Sequence, residues 1–182
     1  LSWCYQVPDD QSDEEQRKAL GKIAYYTLDA WNMVPGADEN GNIDPETFTT
    51  WVKSALRIAA DENLGRFAEL HLGALLARYA RHRKWEDWLP EPLLNILDST
   101  ENDGLRDNFE LGIRNSRGIT SRSPFDGGAQ ERKLAARYRT LARNYVTTHP
   151  RVAGMLLSVA ESYEWDAKRH DDDAVLGERW QQ

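Results

Sequence analysis

The chain has 182 residues, of which 40% are hydrophobic, so it is long enough to bury one sizeable core. Its 30 Asp and Glu residues outnumber its 23 Lys and Arg residues, which gives a formal net charge of −7. The chain therefore lacks the overall basic character of a typical nucleic-acid-binding module. No apolar run approaches the roughly 20 residues of a membrane-spanning helix. The single cysteine, Cys4, excludes an internal disulfide and a cysteine-based zinc site within this chain. We therefore expect a reducing, cytoplasmic environment.

The first predicted helix follows the acidic stretch 8–15 and has apolar residues at helical spacing. One buried face is predicted to contain Ala19, Leu20, Ile23, Ala24, Leu28 and Trp31. The helix is expected to end at Val34-Pro35-Gly36, because proline disfavours a helical conformation in the preceding residue and glycine favours a helix end. Trp31 is interpreted as a core residue, and so is Trp51 in the next helix.

Asp44-Pro45-Glu46 indicates the start of the second helix, since an aspartate cap accepts free backbone N–H groups and proline at the first position loses no hydrogen bond. An apolar stripe extends this helix to about Asn63, and Gly65 separates it from a third helix over 67–80. Four basic residues near the end of the third helix suit the negative pole of its dipole: Arg78, Arg81, Arg83 and Lys84.

The next segment is predicted to be a turn followed by two shorter helices. The turn contains tryptophan and proline and covers 85–92, and a short helix is expected over 91–97. Ser99 or Thr100 caps a further helix that ends at about Arg114. Residues 115–128 lack periodicity and predict the longest loop, and long loops in compact domains are often functional.

Two long helices complete the predicted fold. The first begins at Ala129, the second follows a break at His149-Pro150, and the sequence from Lys168 is predicted to be a polar tail. No segment alternates like a β-strand. We therefore predict an all-α fold, a single domain over 1–182 with about six to seven mostly antiparallel helices, in which 1–14 and 167–182 are peripheral.

The segment 114–143 is basic although the rest of the chain is acidic. It carries eight Lys and Arg against two Asp and Glu, a balance of +6, so the remaining residues sum to −13. Such asymmetry predicts where an anionic partner would bind, and Gly127-Gly128 would let backbone N–H groups approach an anion at a helix start. The candidate anion- or partner-binding residues are Asn115, Arg117, Gly118, Arg122, Gly127, Gly128, Arg132, Arg139 and Arg143.

Two interpretations of this basic segment stay open. In the first, it binds phosphate, nucleic acid or an acidic protein surface. In the second, which we favour, its arginines pair with the acidic helices and anchor the loop. The loop lacks a Gly-Lys-Ser/Thr ending and a preceding strand, so it does not predict a nucleoside triphosphate site.

No catalytic constellation is predicted. Glu131 could act as an acid or base beside the glycine turn, but the helix dipole alone already favours an anion in the first turn. The four histidines lack the spacing of metal ligands. His170 beside Asp171–Asp173 could hold a divalent cation weakly, although a solvated tail is the favoured interpretation. We therefore predict no catalytic residue, no cofactor and no metal site.

Three stretches resemble the C-terminal helical region of large, uncharacterised bacterial proteins: AWNMVPGADENGNIDPETFTTWVKSA, NSRGITSRSPFDGGAQERKLAARYRTLA and AESYEWDAKRHDDD. The resemblance covers about residues 15–173 and is strongest over 115–132. It carries no activity, and it implies that this chain is a module of a longer polypeptide whose loop is a defined feature. The start at Leu1, together with Trp3 and Trp180 near the termini, agrees with the expectation of a fragment.

Three functions follow from these patterns. The favoured prediction is a non-enzymatic helical interaction module that contacts the rest of its parent polypeptide or another protein. The alternative is an anion or nucleic-acid binder that acts through 114–143, with nucleic acid the less favoured partner and no membrane partner. The third is an enzyme centred on the loop and Glu131.

Overall fold

Seven α-helices and no strand make up the part of the chain that the structure, a computed structural model, describes: residues 11–31, 33–40, 42–82, 89–117 and 127–179. The helices are α1 (Gln11–Ala30), α2 (Pro45–Asp61), α3 (Gly65–His82), α4 (Glu91–Asp98), α5 (Asp103–Asn115), α6 (Ala129–Tyr145) and α7 (Pro150–Arg179), with a 3-10 turn at Thr100–Asn102. The prediction of an all-α domain is confirmed. None of the helices in these ranges has the length and apolar character needed to cross a bilayer.

Local signals place the predicted helix boundaries in the first half of the chain. Asp44 Oδ2 accepts the backbone N–H of Thr47 at 2.8 Å, and Pro45 is the first residue of α2. Gly36 has a φ of 85°, a left-handed conformation that glycine adopts readily, and a β-carbon there would crowd the start of α2. The predicted start of α2 is therefore confirmed, whereas α1 ends at Ala30, before the predicted stop at Val34-Pro35-Gly36.

α3 is the central helix and is buried on several sides rather than along one stripe. Its buried side chains include Leu72, Leu75, Leu76, Ala77, Tyr79 and Ala80. A β-carbon at Gly73 would lie 2.7 Å from the backbone N of Phe109, and one at Gly112 would lie 2.6 Å from Ala77 Cβ. Both contacts run in the same direction along α3 and α5, so these two helices are parallel, an exception to the mostly antiparallel arrangement that we predicted.

The core consists of two connected clusters of apolar side chains. The larger cluster joins α2 through α5 to the start of α7 and includes Phe48, Val52, Leu76, Leu93, Leu97, Leu105, Phe109 and Val152. Trp51 is half-buried and packs against it. The smaller cluster lies between α6 and α7 and includes Ala135, Val159, Ala160 and Tyr163. In this second cluster the rings of Tyr138 and Tyr163 stack with centres 5.8 Å apart.

α1 lies on the outside of the bundle, and its predicted buried face is largely exposed. Ile23 is 61% exposed and Trp31 is 44% exposed, so the interpretation of Trp31 as a core residue is wrong. On the side towards α3, Leu28 is half-buried, and its carbonyl accepts Arg78 Nη2 at 2.9 Å. Arg78 therefore binds a carbonyl at the end of α1, a role that the dipole argument for α3 did not predict. The physical reason for the exposure is that, among the described helices, the main packing contact of α1 is with α3.

Candidate functional site

The basic segment is described at its two ends, residues 114–117 and 127–143. Gly118 and Arg122 of the predicted site lie outside the described residues. Asn115 is the last residue of α5 and Arg143 lies in the last turn of α6, and both are exposed. The remaining candidates lie where the end of α5 and the start of α6 meet α7, or along the side of α6 that contacts α7.

A buried ion pair joins the end of α5 to the start of α6. Arg117 Nη2 lies 2.7 Å from Glu131 Oε1, and Glu131 is fully buried whereas 19% of the Arg117 side chain is exposed. The guanidinium of Arg117 also lies 5.6 Å from the centre of the Tyr163 ring on α7. Glu131 is in the first turn of α6, as the dipole argument predicts, but its burial and its partner were not predicted. The pair fixes three elements against each other.

The glycine turn does bring a backbone N–H to an anion, and that anion belongs to the chain itself. Gly127 has a φ of 54°, and the N–H of Gly128 donates to Asp171 Oδ1 at 2.8 Å. Arg132 donates to both oxygens of the same carboxylate, at 2.6 Å to Oδ2 and 3.2 Å to Oδ1. A β-carbon at Gly128 would overlap the backbone of Ala167, so the close approach of this turn to α7 requires glycine.

Asp171 is an acid whose pKa is strongly lowered by its partners. The hydrogen bond from Arg132 is the main cause and the Gly128 N–H the second, and together they lower the pKa of Asp171 from 3.8 to about 2. The same contact raises the pKa of Arg132. Asp171 lies in the segment that the sequence analysis treated as a polar tail. α7 instead continues to Arg179 and buries Ala167 and Ala174, because the glycine turn and Arg132 pack on it.

A second arginine of α6 pairs with α7. Arg139 Nη1 lies 2.6 Å from Glu164 Oε1, about two turns of α7 before Asp171. Because Arg132 binds the later α7 residue and Arg139 the earlier one, α6 and α7 are antiparallel. Three of the predicted arginines, Arg117, Arg132 and Arg139, are thus within ion-pair distance of carboxylates in the chain. This arrangement is the one that the favoured interpretation of the basic segment expects.

A cavity of about 210 Å³ lies beside the Arg117–Glu131 pair, between α3, α5, α6 and α7. Its apolar wall consists of Ala77, Ala80, Leu89, Ile113, Leu134, Leu141 and Leu156. Its polar lining consists of Arg81, Arg117, Arg137, Tyr138, Tyr145, Tyr163 and Ser116. Among the described residues that line this cavity, which we call the arginine–tyrosine pocket, none is acidic.

The pKa of the Tyr163 hydroxyl is shifted by the burial and the charges around this pocket. Burial raises the pKa of its hydroxyl, and the positive charges of Arg117, Arg114 and Arg81 act in the opposite direction. Burial has the larger effect, so the phenol is protonated at neutral pH. The opposing effect places three guanidinium groups close enough to Tyr163 to influence it. The negative charge of Asp166 acts in the same direction as burial, so the pocket is lined by guanidinium groups and a neutral tyrosine hydroxyl, with a carboxylate nearby.

The histidines do not form a metal site in the described part of the chain. No group of three or more His, Cys, Asp or Glu side chains there could hold a metal ion. His170 Nε2 lies 3.9 Å from Glu131 Oε1, so it faces the buried ion pair. His149 is buried just before α7, with Nε2 3.3 Å from Asn95 Oδ1. The ring centre of His71 lies 4.6 Å from that of Phe67.

Sequence reasoning missed the pocket because its residues come from four elements. Arg81 was assigned to the α3 dipole, and the tyrosines of α6 and α7 were not identified as candidate site residues. The available signal was the combination of arginine and tyrosine on inward faces of neighbouring helices, such as Arg137 beside Tyr138. A single sequence does not reveal that these faces meet.

No family model, no curated protein and no solved structure matches this chain. The resemblance to the C-terminal helical region of large bacterial proteins therefore stays a prediction. The functional argument rests on the geometry of the described residues.

Proposed function

We propose that this chain is a non-enzymatic helical interaction module that binds a protein surface through the outward side of α1. That surface, the α1 face, consists of Leu20, Ile23, Tyr26 and Trp31. Its partner is an apolar region of polypeptide, either in the rest of the parent polypeptide or in a second protein.

The observation that carries the proposal is a mismatch between the sequence pattern of α1 and its exposure. Leu20, Ile23 and Trp31 have the periodicity of a buried helix face, yet all three are exposed. Tyr26 on the same side is 57% exposed. Contiguous exposed apolar side chains are a common mark of protein interfaces. This periodicity is typical of a buried helix face, and a partner that covers the α1 face would bury these side chains.

The composition of the α1 face favours a protein partner. Tyrosine and tryptophan are enriched in interfaces because they bury large apolar areas and keep a polar atom available. The exposed residues are also contiguous, since one shallow surface depression is lined by Ile23, Tyr26, Thr27, Ala30 and Trp31. The basic segment is a weaker candidate for a partner surface, because Arg132 and Arg139 already pair with carboxylates of α7.

Site-specific photo-crosslinking tests the proposal. A photoreactive phenylalanine analogue replaces Tyr26 in the cells that naturally produce this protein, and the control places it at the exposed position of Leu157 on α7. We expect position 26 to form an adduct with one defined polypeptide region, which mass spectrometry identifies, and position 157 not to form that adduct.

The identified partner then allows a quantitative test. Ile23→Asp should weaken its binding by about tenfold or more, because an aspartate would have to lose its hydration in an apolar interface. Leu157→Asp is the matched control and should leave the affinity unchanged. Identical adducts at both positions, no adduct at position 26, or unchanged affinity of Ile23→Asp would each contradict the proposal.

A further inference from the structure

The arginine–tyrosine pocket combines positive charge with an apolar wall. Arg81 comes from α3, Arg117 from the end of α5 and Arg137 from α6, so three separate elements bring guanidinium groups to one cavity. The charge of Arg117 is matched by Glu131, which is not among the lining residues. The described lining side chains include no carboxylate. A ligand in this cavity would meet guanidinium groups and no described lining carboxylate, which favours an anionic ligand.

The shape of the pocket limits that ligand to a small one with an apolar body. The volume of about 210 Å³ is below the roughly 300–1,000 Å³ of pockets for drug-sized molecules. Ile113, Leu134, Leu141 and Leu156 line it with aliphatic groups, so an inorganic ion would leave much of the wall unfilled. An aromatic ring or a short aliphatic chain would cover this wall.

The polar groups of the pocket are suited to binding rather than to bond cleavage. The hydroxyl of Ser116 donates to the carbonyl of Ile113 at 2.7 Å, so it is not poised as a nucleophile. The hydroxyl of Tyr145 accepts the backbone N–H of Leu89 at 3.1 Å, which leaves its proton free to donate. Tyr163 is a protonated phenol and can also donate. Guanidinium and phenol groups together are good donors to a carboxylate or a phosphate.

We propose that the arginine–tyrosine pocket binds a small amphipathic anion, with a carboxylate or phosphate head at the arginines and an aromatic or short aliphatic body on the leucine and isoleucine wall. None of the described residues that line the pocket belongs to α1. This site is therefore separate from the α1 face, and either proposal can fail without the other.

Calorimetric and NMR titration of the full chain tests the pocket. The probes are benzoate and phenyl phosphate, the neutral control is benzyl alcohol, and inorganic phosphate tests for a head group alone. We expect benzoate or phenyl phosphate to bind, with amide shifts centred on the ends of α3 and α5, and the two control molecules to bind at least about tenfold more weakly. The stronger of the two anions identifies the head group.

Variants show whether the binding occurs at this pocket. Arg81→Gln should weaken the binding of the preferred anion about tenfold or more, because it removes a charged donor. Arg143→Gln removes an exposed arginine outside the pocket and should change nothing. Leu141→Trp should abolish binding by filling the cavity while the arginines stay, and circular dichroism checks that it folds.

Three results would overturn the inference. The first is that neither anion binds, and the second is that benzyl alcohol binds as tightly as benzoate. The third is that a folded Arg81→Gln protein keeps its affinity or loses no more than Arg143→Gln. If Leu141→Trp fails to fold, Arg81→Gln and its control decide the question.

Discussion

Glu131 is a carboxylate with no exposed surface, and such a group is stable as an anion only when a cation and hydrogen bonds replace its hydration. Arg117 provides that cation at 2.7 Å. The Arg117 guanidinium also contacts the Tyr163 ring, so the pair organises the wall of the arginine–tyrosine pocket. Its removal should therefore affect stability more than most single substitutions.

Glu131→Gln should lower the free energy of unfolding by about 3 kcal/mol, the lower end of the range for a broken buried pair, because Arg117 retains some exposure to water. Chemical denaturation measures the change. Glu161→Gln on the exposed side of α7 is the control and should fall within about 0.5 kcal/mol of the parent protein. A loss from Glu131→Gln no larger than that of the control would contradict a structural role for the pair.

The depressed pKa of Asp171 predicts a pH dependence with a defined sign. The folded-state pKa of about 2 lies below the ordinary value of 3.8, so Asp171 contributes stability above pH 4 that is lost as the pH falls towards 2. Asp171→Asn should therefore lower the melting temperature at neutral pH, and the difference from the parent protein should shrink between pH 4 and pH 2. Asp172→Asn, on an exposed neighbour, should show no such trend. A difference that stays constant down to pH 2 would contradict the assignment.

The sequence predicts which residues are basic or acidic, and it does not predict which of them meet. Glu131 was correctly expected in the first helical turn because that signal is local. Its pairing with Arg117 depends on how the described end of α5 is placed against α6, and Arg132 reaches a residue 39 positions later on α7. Arg78 shows the same limit, since the carbonyl it binds belongs to another helix.

Among the helices, α6 and α7 form the closest described contact of the candidate site. Gly128 lies against the backbone of Ala167, and that contact brings Gly128 N–H and Arg132 to Asp171. Any side chain at position 128 would push the start of α6 away from α7.

Gly128→Ala should therefore lower the free energy of unfolding by about 1–3 kcal/mol, as expected for overpacking. Gly154→Ala is the matched control, because a β-carbon there meets no atom within 4 Å. Gly154 lies inside α7, past its first turn, so that change should stabilise the protein by about 0.5–1 kcal/mol. Thermal and chemical denaturation measure both. Equal effects of the two substitutions would contradict the close approach of α6 and α7.

Helix boundaries were predictable where short-range chemistry sets them, as at Asp44-Pro45 and at His149-Pro150. The buried faces of α1 and α3 were not predictable from the sequence, because the burial of a helix depends on how many elements pack around it. α3 is surrounded and buries most of its circumference, whereas α1 packs mainly on α3 among the described helices and leaves Ile23 in solvent. The end of α7 was missed because its supporting contacts come from the glycine turn, far away in sequence.

Taken as a whole, the molecule is acidic, and three arginines of its basic segment, Arg117, Arg132 and Arg139, pair with nearby carboxylates. With a formal charge of −7 and with Arg132 and Arg139 paired to α7, a polynucleotide has little net attraction to this surface. We expect no complex with single- or double-stranded polynucleotides in a gel-shift assay at physiological salt. A complex whose affinity falls steeply with salt and disappears in Arg139→Glu would contradict this expectation.

The position of Arg78 on α3 places the contact with α1 close to the arginine–tyrosine pocket. α3 directs Arg78 to the end of α1 and, three residues later, contributes Arg81 to the pocket. Less than one helical turn thus separates the attachment of α1 from the arginine–tyrosine pocket, the proposed anion site. If a partner displaced α1 and α3 responded, the affinity for the anion would change, and thermodynamic reciprocity would require the anion to change the affinity for that partner by the same factor.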